Sequence, residues 1–135
     1  AQMEIIDLRQ EVIKEIRNKK ICVLGTPATI EFGLYKCKET KYFNPNKEEL
    51  QELSQAVFKF NQGVQKDKQQ EIVKIIANKY LIKGAEVILL GCTELAVMLE
   101  DSSIPKINTL DILVKTVIEK CKGEMMLHQL QKNGL

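Results

Sequence analysis

The sequence has no tryptophan, three prolines and a single histidine, His128. Its four cysteines are widely spaced along the chain, and no two of them form a C-x-x-C pair. Structural zinc sites need clustered Cys and His ligands, so we expect no metal site. A chain of this size with an ordinary aliphatic core does not need disulfides, and we therefore expect reduced thiols.

Long apolar runs and concentrations of one charge are also missing. No apolar segment approaches the length of a membrane span, and the N-terminus alternates charged and aliphatic residues where a signal peptide would be apolar. The 20 basic and 18 acidic residues are dispersed, so no basic tract is available for a phosphate backbone. We therefore expect a soluble, cytoplasmic protein that binds neither membranes nor nucleic acid.

What the chain does contain is enough apolar surface for one compact domain over residues 1–135, with 44% hydrophobic and 28% charged residues. Apolar spacing and turn residues predict helices at 3–20, 26–38, 46–60, 64–85 and 110–129, and short strands at 21–25, 41–45, 86–91 and 105–109. Strands that alternate with helices are typical of parallel sheets. The predicted fold is α/β, a three-layer domain with a short, mainly parallel sheet of about four strands flanked by helices.

Two of the predicted strand-to-helix turns have an unusual composition. The first, LGTPAT, contains Gly25, Thr26 and Thr29, and the second, LGCTEL, contains Cys92 and Thr93. Each offers a glycine for close backbone approach, a hydroxyl, and free amides at a helix start, which together suit a carboxylate or phosphate. Neither has the glycine spacing of a P-loop or a dinucleotide motif. An anionic small molecule is the expected ligand.

Cys92 is the one thiol that the sequence places for chemistry. It lies at a predicted helix start, where the dipole and the amides favour a thiolate, so we expect a lowered pKa and a role as base or nucleophile. Local sequence leaves open the alternative of a helix-start thiol without consequence. We expect Cys22 and Cys121 to be small core residues and Cys37 to be a helix-end thiol.

The segment at 84–99, GAEVILLGCTELAVML, resembles a motif of the aspartate/glutamate racemase superfamily, whose members carry Gly-Cys-Thr-Glu or Gly-Cys-Thr-His at a strand end. The segment at 21–36, ICVLGTPATIEFGLYK, resembles that family's strand and Gly/Thr-rich turn ending in Tyr, here Tyr35. Glu94 follows the Cys-Thr pair, and a Glu at this position resembles the aspartate racemase branch, whereas the glutamate racemase branch usually has His there. The resemblance is to the C-terminal catalytic half of the family, and we expect the N-terminal half, with its Cys-Asn-Thr motif, to be absent.

This resemblance implies a cofactor-independent amino-acid racemase built from two similar domains, each of which brings one cysteine to the substrate. One thiolate removes the α-proton and the opposite thiol returns a proton on the other face. On this pattern Cys92 is the catalytic residue of this half. The residues that the resemblance assigns to substrate binding are Gly25, Thr26, Thr29, Thr93 and Glu94.

Several residues depart from the family pattern. Phe32 stands where the family usually has Ser or Thr, and Asn108 and Leu113 stand where it has Asp and His. These changes put the substrate contacts of this half in doubt. For Glu94 two roles stay open: it orients the Cys92 loop or the substrate amine, or it is a first-turn carboxylate stabilised by the helix dipole.

Two alternatives to a racemase remain. One is a one-cysteine decarboxylase or isomerase of the same superfamily, and the other is a non-catalytic anion-binding or assembly module. The partners expected are an acidic amino acid or dicarboxylate, and the missing N-terminal half or another subunit, including a homo-oligomer.

Overall fold

A computed structural model of the chain describes residues 8–25 and 38–132. Their helices and strands follow in the order α1 (Leu8–Ile16), β1 (Lys20–Leu24), β2 (Lys41–Phe43), α2 (Lys47–Asn61), α3 (Lys66–Lys83), β3 (Val87–Leu90), α4 (Thr93–Met98), β4 (Lys106–Asn108) and α5 (Thr109–Lys132). The strands form one sheet in the order β2-β1-β3-β4, with every neighbouring pair parallel. The predicted α/β class with a short parallel sheet is confirmed.

The two central strands, β1 and β3, end at the same level of the sheet. They pair from Ile21 with Val87 to Leu24 with Leu90. After β1 the chain continues to β2 on one side, whereas after β3 it continues to β4 on the other side. The connections therefore diverge at the carboxyl ends of β1 and β3, which is the place where open parallel sheets form a ligand crevice.

One face of the sheet is covered by α2, α3 and α4. Cys22 and Leu24 of β1 and Ile88 and Leu90 of β3 point into this layer and are fully buried or nearly so. The helix residues that complete the cluster include Leu53, Ala56, Val73, Ile76, Ala77, Leu95 and Met98. The prediction that Cys22 is a small core residue is confirmed, and burial is the main cause that raises its pKa to about 12.

The opposite face is covered by α1 and by the beginning of α5. Val12 and Ile16 of α1 pack with Ile21 and Val23 of β1 and with Leu89 of β3. Successive residues of a strand point to opposite faces, so Leu89 lies in this layer while its two neighbours lie in the other. Both faces of β3 are therefore covered by helices.

The long helix α5 contacts α1 but extends past it. Thr116 is the one buried residue of this helix, and residues 121–132 are all exposed. The prediction that Cys121 is a core residue is wrong, because it lies on this exposed second half of α5. Neither α5 nor another helix of the described residues combines the length and apolar composition needed to cross a membrane.

The helix ends agree with the sequence in part. Helix α3 ends at Gly84, whose φ of 122° lies in a region that glycine adopts without strain. Helix α1 stops at Ile16 instead of Lys20, because Asn18 is left-handed (φ 65°) and Lys20 already belongs to β1. The predicted helix at 26–38 lies almost entirely outside the described residues.

A buried carboxylate joins α2 to α3. Glu49 and the N-cap residue Asn46 form a capping box. The backbone amide of Asn46 donates to Glu49 Oε1 at 3.0 Å, and the backbone amide of Glu49 donates to Asn46 Oδ1 at 2.8 Å. The Tyr80 hydroxyl donates to Oε1 at 2.5 Å, and Lys79 Nζ donates to Oε2 at 2.9 Å. Burial alone would raise the pKa of Glu49, but these hydrogen bonds lower it to about 2. The carboxylate therefore stays ionised inside the fold.

Candidate active site at the carboxyl edge of the sheet

The two Gly-containing turns meet where the connections of β1 and β3 diverge. Gly25 follows β1 directly and is buried, and Gly91 follows β3. The Gly91 amide donates to the carbonyl of Leu24 at 2.8 Å, which extends the ladder between the strands into the turns. The two turns therefore start side by side, although Thr26 and Thr29 of the first lie outside the described residues.

Cys92 occupies the N-cap position of α4. Its extended backbone (φ −144°, ψ 136°) marks the corner between strand and helix, and its carbonyl accepts the amide of Ala96 at 3.3 Å. The thiol does not cap the helix; instead it donates to Oε2 of Glu94 at 2.9 Å. The residue is half-buried, packed against the core on one side. This agrees with the strand-to-helix corner that the sequence predicts.

Glu94 receives two hydrogen bonds on one oxygen. The Thr93 hydroxyl donates to Oε2 at 3.2 Å, beside the thiol of Cys92 on the same atom. The hydrogen bond from Cys92 is the largest cause that lowers the pKa of Glu94, so the carboxylate is ionised at neutral pH. Cys92, Thr93 and Glu94 thus form one hydrogen-bonded group at the start of α4.

The expectation of a lowered pKa for Cys92 is wrong in this structure. Burial of the thiol is the largest influence and raises its pKa, and the hydrogen bond to Glu94 raises it further. The amides of Leu95 and Glu94 act in the expected direction and lower it, but they do not prevail. Cys92 therefore carries its proton at neutral pH.

The end of β4 and the beginning of α5 add two side-chain hydrogen bonds that we did not predict from the sequence. Asn108 Oδ1 accepts the amide of Leu110 at 2.9 Å, and the Thr109 hydroxyl donates to the carbonyl of Leu90 at 3.2 Å. The Asn-Thr pair before a helical pattern is a typical cap signal and was available to find them. This hydrogen bond of Thr109 connects the start of α5 to Leu90, the last residue of β3.

An open groove of about 560 Å³ lies between α4 and the start of α5. Cys92 is not part of its lining. The polar residues that line it are Thr93, Glu100, Ser102, Ser103, Lys106, Asn108 and Asp111. The Lys106 ammonium donates to the carbonyl of Ser102 at 2.7 Å, so it is held at the wall. The groove gives space for a small polar molecule next to Thr93.

No three His, Cys, Asp or Glu side chains within residues 8–25 and 38–132 are placed to hold a metal ion together. The described residues at this edge supply a thiol, a carboxylate, hydroxyls and backbone amides. These groups can bind a small anion and move a proton at sulfur.

The sequence matches a model of the Asp/Glu/Hydantoin racemase family over residues 4–117. This range includes both turns and all four strands of the sheet.

Solved structures with this fold include an aspartate racemase homologue from Pyrococcus horikoshii, which is 27% identical, with a TM-score of 0.68 over 87% of this chain. An aspartate racemase from Picrophilus torridus is 21% identical, with a TM-score of 0.58 over 76% of this chain. The matches cover 56% and 44% of those two proteins. The chain thus spans about half the length of the solved structures that it resembles.

Proposed function

Because this chain belongs to the Asp/Glu/Hydantoin racemase family, we propose that it is the C-terminal catalytic half of a cofactor-independent amino-acid racemase acting on aspartate or glutamate. The observation that carries the proposal is the position of Cys92. Its thiol lies at the corner after β3, where the connections of the two central strands diverge and ligands of parallel sheets bind.

Racemisation at an α-carbon uses one acid/base group on each face of the carbon. In the proposed reaction one thiolate takes the α-proton, and a thiol on the other face donates its own proton to the planar carbanion. Cys92 is one of these two groups. Among the other described cysteines, Cys22 is buried in the middle of β1 and Cys121 lies on the exposed part of α5. In this proposal the second group is supplied by the N-terminal half of the family's fold or by another subunit.

The substrate is held through its carboxylate and amino groups. We assign this role to the turn that contains Gly25, Thr26 and Thr29, together with Thr93. Free amides and hydroxyls at strand ends suit a carboxylate without a metal ion. The 27% identical Pyrococcus horikoshii protein, an aspartate racemase homologue, supports an acidic amino acid as the substrate.

Binding can be tested on this chain alone. Titration with L-aspartate, followed by NMR of the ¹⁵N-labelled chain, should shift the amides of Gly25, Gly91 and Thr93 together. Affinity should be weak, because only one side of the cleft is present. Titration with lysine is the control for charge selectivity. Shifts confined to another surface would contradict the proposed site.

The reaction is tested by exchange of the α-proton of L- and D-aspartate in deuterated water. The chain alone should not exchange the proton. The two-domain form, in which this chain is combined with an N-terminal half, should exchange it, and the aspartate solution should lose its optical rotation. Cys92→Ser in the two-domain form should abolish both. Exchange by the chain alone would instead indicate a homodimer in which Cys92 of two subunits faces one substrate.

A one-cysteine decarboxylase or isomerase is the second candidate. It is favoured by the fact that Cys92 rests as a protonated thiol, since such enzymes use one thiol to protonate a planar intermediate. Release of carbon dioxide from a dicarboxylate, without exchange of the aspartate α-proton, would select this alternative.

A further inference from the structure

Glu94 accepts hydrogen bonds from the side chains of both residues that precede it, Cys92 and Thr93. Its Oε2 lies 2.9 Å from Sγ of Cys92 and 3.2 Å from Oγ1 of Thr93. An ionised carboxylate can only accept hydrogen bonds, so the proton between Sγ and Oε2 belongs to the thiol. The Thr93 hydroxyl, as a second donor to Oε2, helps to hold the carboxylate beside the sulfur.

The surroundings of the thiol act in opposite directions. The amides of Glu94 and Leu95 at the start of α4 favour a thiolate, whereas burial and the carboxylate of Glu94 favour the thiol. Helices α2 and α3 also contact α4, and the cluster that Cys92 joins there is apolar, with Leu53 and Val73 among its members. Among the described residues, Glu94 is therefore the charged side chain that acts on Cys92.

We propose that Glu94 is a positioning residue that keeps Cys92 in its thiol form, with the S–H directed at Oε2, so that this half of the site rests as the proton donor. The inference rests on the proposed racemase function and adds which role Cys92 has before substrate binds, that of the proton donor. When Cys92 donates, the S–H bond breaks, a C–H bond forms at the α-carbon, and the sulfur keeps the electron pair. The thiolate then faces the Glu94 carboxylate, and this repulsion favours recapture of a proton.

The test measures the rate at which iodoacetamide alkylates Cys92 in the folded chain as a function of pH, with peptide mass mapping to separate the cysteines. In the parent chain the rate should rise only well above neutral pH. Glu94→Gln removes the charge while keeping the side-chain length. The midpoint of the profile of alkylation rate against pH should therefore fall, and alkylation of Cys92 near neutral pH should become about tenfold faster.

Glu100→Gln is the matched control, because Glu100 is an exposed carboxylate just beyond the same helix. It should leave the alkylation profile unchanged. If Glu94→Gln does not fold, Glu94→Asp replaces it, since the shorter carboxylate withdraws from Sγ and should also lower the midpoint.

An unchanged midpoint in Glu94→Gln would overturn the inference, and so would a rise, which would mean that Glu94 activates the thiol as a base. The experiment needs no substrate, so it is separable from the proposed function. A lowered midpoint, together with no aspartate binding by this chain and no proton exchange by the two-domain form, would support the role of Glu94 and leave the racemase proposal wrong. Binding and exchange with an unchanged midpoint would overturn the role of Glu94 alone.

Discussion

The buried carboxylate of Glu49 makes the stability of this domain depend on acid pH. Its side chain is 9% exposed and bonded to Tyr80, Lys79 and the amide of Asn46. Replacing it by glutamine keeps the size and an acceptor for Tyr80 but removes the charge that pairs with Lys79. Glu49→Gln should therefore destabilise the chain near neutral pH and lose this effect as the pH falls.

The magnitude follows from the pKa of Glu49, which falls from an ordinary value of 4.5 to about 2 on folding. Each pH unit of such a difference corresponds to about 1.4 kcal/mol, so the ionised carboxylate contributes about 3 kcal/mol. A lowered folded-state pKa means that this stability is present above the unfolded value and is lost as the pH falls towards 2. About 2 kcal/mol of it should disappear between about pH 5.5 and about pH 3.

Urea unfolding at these two pH values, followed by circular dichroism, measures the effect. Other carboxylates also titrate in this range, but they are common to the parent chain and the variant. The difference in free energy of unfolding between the two should therefore shrink by about 2 kcal/mol on going to the lower pH. Glu48→Gln, at the exposed neighbouring position of the same helix turn, is the control and should show no comparable change. If the difference in free energy of unfolding between the parent chain and Glu49→Gln is the same at both pH values, the conclusion that Glu49 is ionised in the folded chain is refuted.

Two further predictions concern glycines and thiols. Gly84→Ala should destabilise the chain by about 1 to 2 kcal/mol, because φ is 122° there, whereas Gly123→Ala in open space on α5 should stabilise it by about 1 kcal/mol. The midpoints of urea unfolding of the two variants measure this difference. Equal effects of the two substitutions on stability would contradict the backbone conformations of Gly84 and Gly123. Near neutral pH iodoacetamide should modify exposed Cys121 first, Cys92 more slowly and buried Cys22 last. Peptide mass mapping gives the order, and Cys92 reacting before Cys121 would contradict the raised pKa.

Local patterns in the sequence predicted much of the fold. Helical spacing, the cap at Asn46 and the stop at Gly84 depend on residues within a few positions of one another, and the structure confirms α2 and α3 close to the predicted bounds. The buried carboxylate at Glu49 was missed, although the Asn-x-x-Glu spacing is that of a capping box. Its partners Lys79 and Tyr80 are about thirty residues away, and only folding brings them to it.

Local residue patterns alone indicate where the two central strands end, and therefore that Gly25 follows β1 and that Gly91 and Cys92 follow β3. It is the fold that makes the starts of these turns neighbours, because the pairing of β1 with β3 joins segments far apart in the chain. The fold also decided the protonation of Cys92. The local signal, a helix start, favours the thiolate, but burial and the side-chain direction of Glu94 outweigh it. The pKa of a thiol depends on the charges and solvent around the sulfur atom, and those are set by packing in three dimensions.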